Sequence, residues 1–362
     1  MFEELTTLLD SFLEMGLPFY DCIVLRDGEC IYRRQGGFTD PERTQRPTGN
    51  EHYNIYSCSK LIVCVAALQL LEKGMFSLED PISKYLPMFQ NMTVKTEEGI
   101  RPAKNPILVK HLFTMTAGFS YDFKSPGIQK SMQSTQGAPA MEVMENISKD
   151  PLLFEPGTQW HYSFGHDVLS AFVEAVSGED LETYAKKHIF DVVGMPDTTF
   201  LPTPEQEEAL VTHYEQTPQK GVYVRSKHAR SRLGYRFCSG GGGAVSTVAD
   251  YVKFLETLRV GGTLLKEETM KLLTTNQLTE EQQRTYKYGE RCGYSLGQRC
   301  PGKENRHSFG WGGAAGAYYF VNPKYGITCY LAAHMTGHEQ YQNARRRIEG
   351  AIMRGCGFTL ED

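Results

Sequence analysis

The apolar run Leu61-Ile62-Val63-Cys64-Val65-Ala66-Ala67-Leu68 constrains the fold of this chain more than any other stretch. An unbroken segment of that kind needs a dry environment. Leu61, Cys64, Val65, Leu68 and Leu71 recur at helical spacing, which predicts a buried helix ending near Gly74. Ser57-Cys58-Ser59-Lys60 opens the run, so the first turn carries Ser57 and Lys60 on one face. A serine hydroxyl stays protonated at neutral pH and attacks only with a base beside it. A lysine is such a base when burial or nearby charge lowers its pKa. The helix N-terminus adds free N–H groups and positive potential where an oxyanion forms. A capping serine and a surface lysine give the same short pattern, so the rest of the chain has to decide.

With 362 residues, 40% of them hydrophobic and 22% charged, the chain is long enough for a large core or two lobes. A net charge of −5 argues against nucleic acid as a partner. The basic stretch 225–236, with Arg225, Lys227, Arg230, Arg232 and Arg236, reads as a solvated loop. No segment approaches the ~18 unbroken apolar residues of a membrane span. Met1-Phe2-Glu3-Glu4-Leu5 lacks the basic start and apolar core of a signal peptide, which points to the cytoplasm. The nine cysteines show no paired spacing and read as reduced thiols; in an exported chain Cys292 and Cys300 would be the pair to consider. Oligomeric state is not legible.

Phe2, Leu5, Leu8, Leu9, Phe12 and Leu13 form one helical stripe. Two β-rich runs then flank Asp27-Gly28, a hairpin signal because both turn residues accept positive φ. From Ser57 to about residue 200 the character is helical, with segments at Val109–Met115, Asp167–Val176 and Leu181–Phe190; residues 120–140 read as a long polar loop. The run Gly240–Gly243 lacks a phosphate-loop pattern and reads as close backbone packing ahead of a Thr247/Asp250 capping box. A second hairpin spans 316–332 around Asn322-Pro323-Lys324-Tyr325, and 339–353 reads as a closing basic helix. The order predicts an α+β fold: 1–56 and 225–362 complete one antiparallel sheet domain, and 57–224 form a mostly helical insertion, with the active site at the junction.

Ser/Lys chemistry needs a second proton carrier and an oxyanion site. Pro156-Gly157 forces a turn that delivers Tyr162 on a loop ahead of a helix, within reach of a cation such as Lys60 that would lower its pKa. Phe309-Gly310-Trp311-Gly312-Gly313-Ala314 is a strand edge slim enough to pass a ligand, offering a backbone N–H to pair with that of Ser57. A packed tyrosine and a core tryptophan are the plainer readings. His334 and His338 have metal-ligand spacing without the accompanying glutamate, so no metal or cofactor is expected. His307 and His166 read as surface histidines, and Cys58 as a small helix residue facing away from Lys60.

Taken together, these motifs resemble the serine β-lactamase and penicillin-binding-protein superfamily, in its class C β-lactamase, family VIII carboxylesterase and acyltransferase branch. The likeness is colinear: Ser57-Cys58-Ser59-Lys60, then Tyr162-Ser163-Phe164, then Trp311-Gly312-Gly313. Leu112–Gly118, Phe154–Gly157 and Gly241–Thr247 also match family landmarks. The resemblance implies that Ser57 is acylated, that Lys60 and Tyr162 act together as its base, and that the N–H groups of Ser57 and Ala314 form the oxyanion hole. It also implies the β-lactamase/transpeptidase-like fold. Phe164 stands where lactamases of this branch carry asparagine, and Trp311 where they carry lysine. Neither residue offers a partner for a β-lactam amide or carboxylate, so the expectation is an esterase on small neutral acyl esters, with acyl transfer, or β-lactamase or D-Ala-D-Ala peptidase activity, as the alternatives and a non-catalytic binding module, against which the intact triad argues, the last of them.

Overall fold

The computed structural model describes residues 1–135, 137–217, 223–225, 233–302 and 307–358. Its centre is a seven-stranded antiparallel sheet built from β1 (Phe19–Arg26), β2 (Glu29–Gly37), β3 (Gly293–Tyr294), β4 (Arg299–Cys300), β5 (Phe309–Gly312), β6 (Tyr318–Asn322) and β7 (Ile327–Ala332). The spatial order is β2-β1-β7-β6-β5-β4-β3, so the two ends of the chain meet where β1 pairs with β7. Asp27 and Gly28 both take positive φ, 49° and 85°, as the hairpin between β1 and β2 requires. The second hairpin is closed by the Asn322 side chain, which accepts the Tyr325 N–H.

Phe19 to Leu25 are all buried although strand neighbours point to opposite faces, so both faces of the sheet are covered. On one side Tyr20 donates a 2.9 Å hydrogen bond to Asp10 of α1 (Glu3–Glu14), whose Leu5, Leu8, Leu9 and Phe12 are buried at helical spacing. On the other, Tyr330 and Tyr319 are cross-strand partners that pack on Tyr251, at 4.7 Å and 5.8 Å between ring centroids. Tyr251 belongs to a helix at Val248–Val260, capped by the Thr247 hydroxyl accepting the Asp250 N–H. The reciprocal half of the expected box is not used. Asp250 instead accepts the Asp197 N–H and the Thr198 hydroxyl.

The serine helix, α2 (Ser59–Glu72), runs through the middle of the molecule, with 11 of its 14 residues buried. It is therefore dry on all sides, and Leu71 on the expected stripe is only partly covered. Its main neighbour is α3 (Gly165–Ser177). Two sequence expectations need correction. Residues 120–140 are not a loop throughout: Pro126–Met132 is a helix with proline in its first turn, which buries Ile128 and Ser131. Gly127 sits so close to the Asn146 carbonyl that a Cβ would lie 2.2 Å from it, which locks this helix to the next one, Ala140–Ile147. The closing basic helix is broken into Glu339–Ala344, a 3-10 turn at Arg345–Arg347, and Ile348–Gly355. Lys227, Arg230 and Arg232 of the basic stretch lie outside the described residues; Arg225 and Arg236 are exposed. Among the described residues no helix is long and apolar enough to cross a membrane.

Candidate active site

Ser57 lies in a single 3-10 turn, Tyr56–Cys58, directly ahead of α2. Tyr56 enters that turn at φ 48°, a conformation a bulky residue adopts only when its surroundings impose it. The Ser57 Oγ is 2.6 Å from the Tyr162 Oη and 3.5 Å from the Lys60 Nζ. Lys60 is 1% exposed, and its ammonium donates to the carbonyl of Gly241. It also sits over two aromatic rings, 4.7 Å from the centroid of Tyr162 and 5.7 Å from that of Tyr121. No carboxylate among the described residues comes within 4 Å of it, so a backbone dipole and two π faces carry the offset to its desolvation.

Tyr162 is delivered by the loop that Gly157 turns at φ 84°, and that loop is tied down where Gly157 N–H donates to Thr116 and His161 N–H to Met115. The Tyr162 ring stacks on Trp311 at 6.0 Å and 16°, and meets Tyr121 edge-on at 4.9 Å. Trp311 is therefore a wall of the site, held in turn by Tyr294 at 5.5 Å. Phe164 is 2% exposed and packs against Tyr121 and Phe123.

Past Trp311 the strand reaches the serine turn. A Cβ on Gly313 would lie 2.7 Å from the Ile55 carbonyl, so only glycine lets β5 come this near. A Cβ on Gly312 would meet the Arg345 guanidinium at the same distance of 2.7 Å. Arg345 donates to the carbonyls of Gly313 and Ala317, and Gln342 to that of Ala314, which fixes the loop from outside. Ala314 is exposed, and its N–H makes no hydrogen bond among the described residues. All eight sequence-predicted site residues thus converge on one locus.

Sequence reasoning missed the support beneath Lys60. Asp167, 2% exposed at the start of α3, accepts the Ser239 hydroxyl at 2.5 Å and the Gly241 N–H at 3.3 Å. Burial raises its pKa, with the Lys60 charge working the other way. A Cβ on Gly241 would lie 2.2 Å from the Asp167 Oδ2, so this carboxylate is the seat on which the lysine's acceptor rests. An aspartate in a first helical turn looks like ordinary capping, and nothing in the one-dimensional pattern marked it. Tyr121 sat in the stretch read as loop.

Other candidates resolve as structural. His166 is a correction: it is fully buried beside Gly297 and Cys64, and burial and the Lys60 charge hold it neutral. His334 bonds the Val211 carbonyl and accepts the Asn54 N–H, and His338 bonds the Met15 carbonyl. Among the described residues no cluster of His, Cys, Asp or Glu is arranged to hold a metal. His307 is on the surface beside Lys324. Burial pushes the Cys58 thiol up to about 12, which removes it as a nucleophile.

Two cavities meet at Ser57 and Ala314. The smaller, about 250 Å³, is lined by Tyr121, Phe123, Phe164 and Leu233 and also by Asp167 and Ser239. The larger, about 690 Å³, runs past Trp160, Tyr162 and Trp311 toward the C-terminal segment.

A β-lactamase family model matches residues 21–351. Protein Rv1367c of Mycobacterium tuberculosis is 27% identical over 312 residues, covering 78% of this chain and 77% of that protein. Esterase EstB of Burkholderia gladioli is 27% identical over 268 residues, covering 68% and 66%. Among solved structures, EstCE1, described as a hydrolase with promiscuous acyltransferase activity, superposes with a TM-score of 0.82 at 22% identity, covering 97% of each chain.

Proposed function

The chain belongs to the β-lactamase family and is a serine hydrolase of its esterase and acyltransferase kind, and we propose that it works through an acyl-enzyme on Ser57. The observation that carries this reading is the 2.6 Å contact between the Ser57 Oγ and the Tyr162 Oη, with the Lys60 Nζ at 3.5 Å from the same oxygen. In the first step the Ser57 Oγ attacks the ester carbonyl while its proton passes to the Tyr162–Lys60 pair. Both reach the same oxygen, so the base is the pair. The N–H groups of Ser57 and Ala314 stabilise the oxyanion, Tyr162 returns the proton to the departing alcohol, and the acyl group stays on Ser57. In the second step Tyr162 takes a proton from water, hydroxide attacks the acyl carbon, and Ser57 leaves with the proton.

The cavities at Ser57 are lined by Trp311, Phe164 and Tyr121, and the one further charge in the smaller of them is the Asp167 carboxylate, which would repel an anion, so a small neutral acyl group is favoured. A second reading, transfer to an alcohol in place of water, is supported by the room in the larger cavity and by the activity in the EstCE1 description. A cytoplasmic protein acting on small-molecule esters, without metal, cofactor or nucleic acid, is the setting we propose. The test is labelling with a fluorophosphonate and mapping of the modified peptide, run beside Ser57→Ala. The label is expected on Ser57, with hydrolysis of p-nitrophenyl butyrate abolished in the variant and its melting temperature little changed. Label on another residue, or retained turnover in Ser57→Ala, refutes the assignment.

A further inference from the structure

Asp167 offers more than support for Lys60. Its Oδ1 takes both the Ser239 hydroxyl, at 2.5 Å, and the Gly241 N–H, at 3.3 Å. Its Oδ2 receives no hydrogen bond from another of the described residues. The side chain is 2% exposed, yet it lines the smaller cavity beside Ser57, and Oδ2 is not sealed off from that space. A buried carboxylate oxygen of this kind calls for a donor that the protein itself does not supply. The backbone in front of it is bare. A Cβ on Gly241 would lie 2.2 Å from Oδ2, so glycine there is what leaves the oxygen uncovered. A Cβ on Gly242, the next residue along the cavity, would meet nothing closer than Tyr56 at 3.8 Å, so the space beyond is open.

The position of Tyr162 says which part of an ester reaches this oxygen. Tyr162 lines the larger cavity and not the smaller. As the group that protonates the departing alcohol, it sends the alcohol into the larger cavity and leaves the acyl chain in the smaller. An anionic acyl group would face Asp167 there. An ammonium would face Lys60, which stands behind the Gly241 carbonyl. A hydroxyl is neutral and donates, which is what Oδ2 lacks. Tyr121, Phe123 and Phe164 would cover the methylene groups on the way to it. We infer that the smaller cavity takes a short acyl chain ending in a hydroxyl whose proton Asp167 Oδ2 accepts, so that the preferred substrates are esters of hydroxy acids. This rests on the acyl-enzyme reading and names its substrate class.

The test uses ethyl esters of straight-chain ω-hydroxy acids, about three to six carbons long, against esters in which a methyl group of equal size replaces the hydroxyl. At one chain length the hydroxyl is expected to be favoured about tenfold in kcat/KM, as for a hydrogen bond to a charged acceptor. The ω-methoxy ester, which accepts but cannot donate, should gain nothing over its ethyl-capped equivalent. Asp167→Asn makes the sharper prediction. The Gly241 N–H needs an acceptor at Oδ1, so the amide nitrogen of the variant takes the place of Oδ2 and turns an acceptor into a donor. The ratio of methoxy to ethyl-capped ester should then rise about threefold, whatever overall turnover does when the seat of Lys60 changes. Equal kcat/KM for hydroxyl and methyl esters at every length overturns the proposal. So does a methoxy ester as good as the hydroxy ester in wild type, or a methoxy ratio unmoved in folded Asp167→Asn. Calorimetry of the same esters with Ser57→Ala protein separates recognition from chemistry and needs no Asp167 variant to fold. Tighter binding of the hydroxy ester upholds the proposal even where no ester is turned over, which would sink the acyl-enzyme reading alone. Equal binding sinks the proposal even in an active esterase.

Discussion

Tyr162 and Lys60 reach the same oxygen, at 2.6 Å and 3.5 Å, and Lys60 also lies against the Tyr162 ring at 4.7 Å. That geometry makes a double-mutant cycle the most informative perturbation. Tyr162→Phe removes one hydroxyl without disturbing the stack on Trp311. Lys60→Met keeps the volume of a side chain that is 1% exposed, leaving the Gly241 carbonyl without its donor. Loss of a positioned proton carrier costs about 10²–10⁴ in rate, so each single variant should fall by about 10³, or ~4 kcal/mol of barrier. Were the two groups independent, the double variant would fall by about 10⁶. A relay is already broken by either loss, so the double should stay near 10³–10⁴, a coupling of about 3–4 kcal/mol. The assay is single-turnover release of p-nitrophenol from p-nitrophenyl butyrate, with urea melts to show that all three variants are folded. Multiplicative losses in the double variant would refute the shared relay.

Trp311→Lys should raise kcat/KM for nitrocefin relative to p-nitrophenyl butyrate by about 1–2 kcal/mol, because a cation beside Tyr162 gives the lactam carboxylate a partner. A wild-type protein that already prefers nitrocefin by a wide margin would remove Trp311 as the determinant. Phe164→Asn, which supplies the amide found in lactamases, should cost about 2–4 kcal/mol of stability in urea melts, since it sets an amide among Tyr121 and Phe123 at a position 2% exposed. Stability should also fall in mild acid. Burial first, and the neighbouring Lys110 charge second, lower the His111 pKa from 6.5 to about 4. The unfolded chain therefore takes up a proton near pH 6.5 that the folded chain refuses until about 4. The contribution present above pH 6.5 is lost between those values, on the order of 3 kcal/mol. Urea melts from pH 7 to 4.5 should show a slope that His111→Gln flattens, and an unchanged slope in the variant would assign the acid sensitivity elsewhere.

Local patterns were legible where the cause of structure is itself local. Asp27-Gly28 fixes a turn whatever surrounds it, and the spacing of Leu5, Leu8, Leu9 and Phe12 identifies the buried face of α1 from sequence alone. Ser57, Lys60, Tyr162 and Trp311 were legible as motifs, and their colinearity suggested the fold. What stayed hidden is decided by tertiary neighbours. Pro126–Met132 is helical because Gly127 can touch the Asn146 carbonyl, a contact no reading of a polar stretch contains. His166 looked like a surface residue because its burial comes from Cys64 and Gly297, far away in the chain.

The glycine run shows how a feature can be read correctly and its purpose missed. Close backbone packing was the right expectation for Gly240–Gly243, but its meaning lies in what it packs against. A Cβ on Gly240 would meet the Ser170 hydroxyl at 2.3 Å, and one on Gly241 would meet Asp167 at 2.2 Å. With the side chains absent, the Gly240 N–H reaches Ser170 and the Gly241 N–H reaches Asp167, so that the Gly241 carbonyl points back at Lys60. An isolated buried ammonium faces a desolvation cost of several kcal/mol, and a carboxylate in direct contact would offset it most strongly. Such a partner would also hold the proton on the lysine and blunt it as a base. A carbonyl held in place from behind by a carboxylate one step removed gives a weaker offset. It leaves the amine over the Tyr162 ring and facing the Ser57 hydroxyl. The arrangement of Asp167, Gly241 and Lys60 therefore trades some stability for a lysine that faces the Ser57 hydroxyl with no carboxylate of the described residues in direct contact, as the proposed role requires.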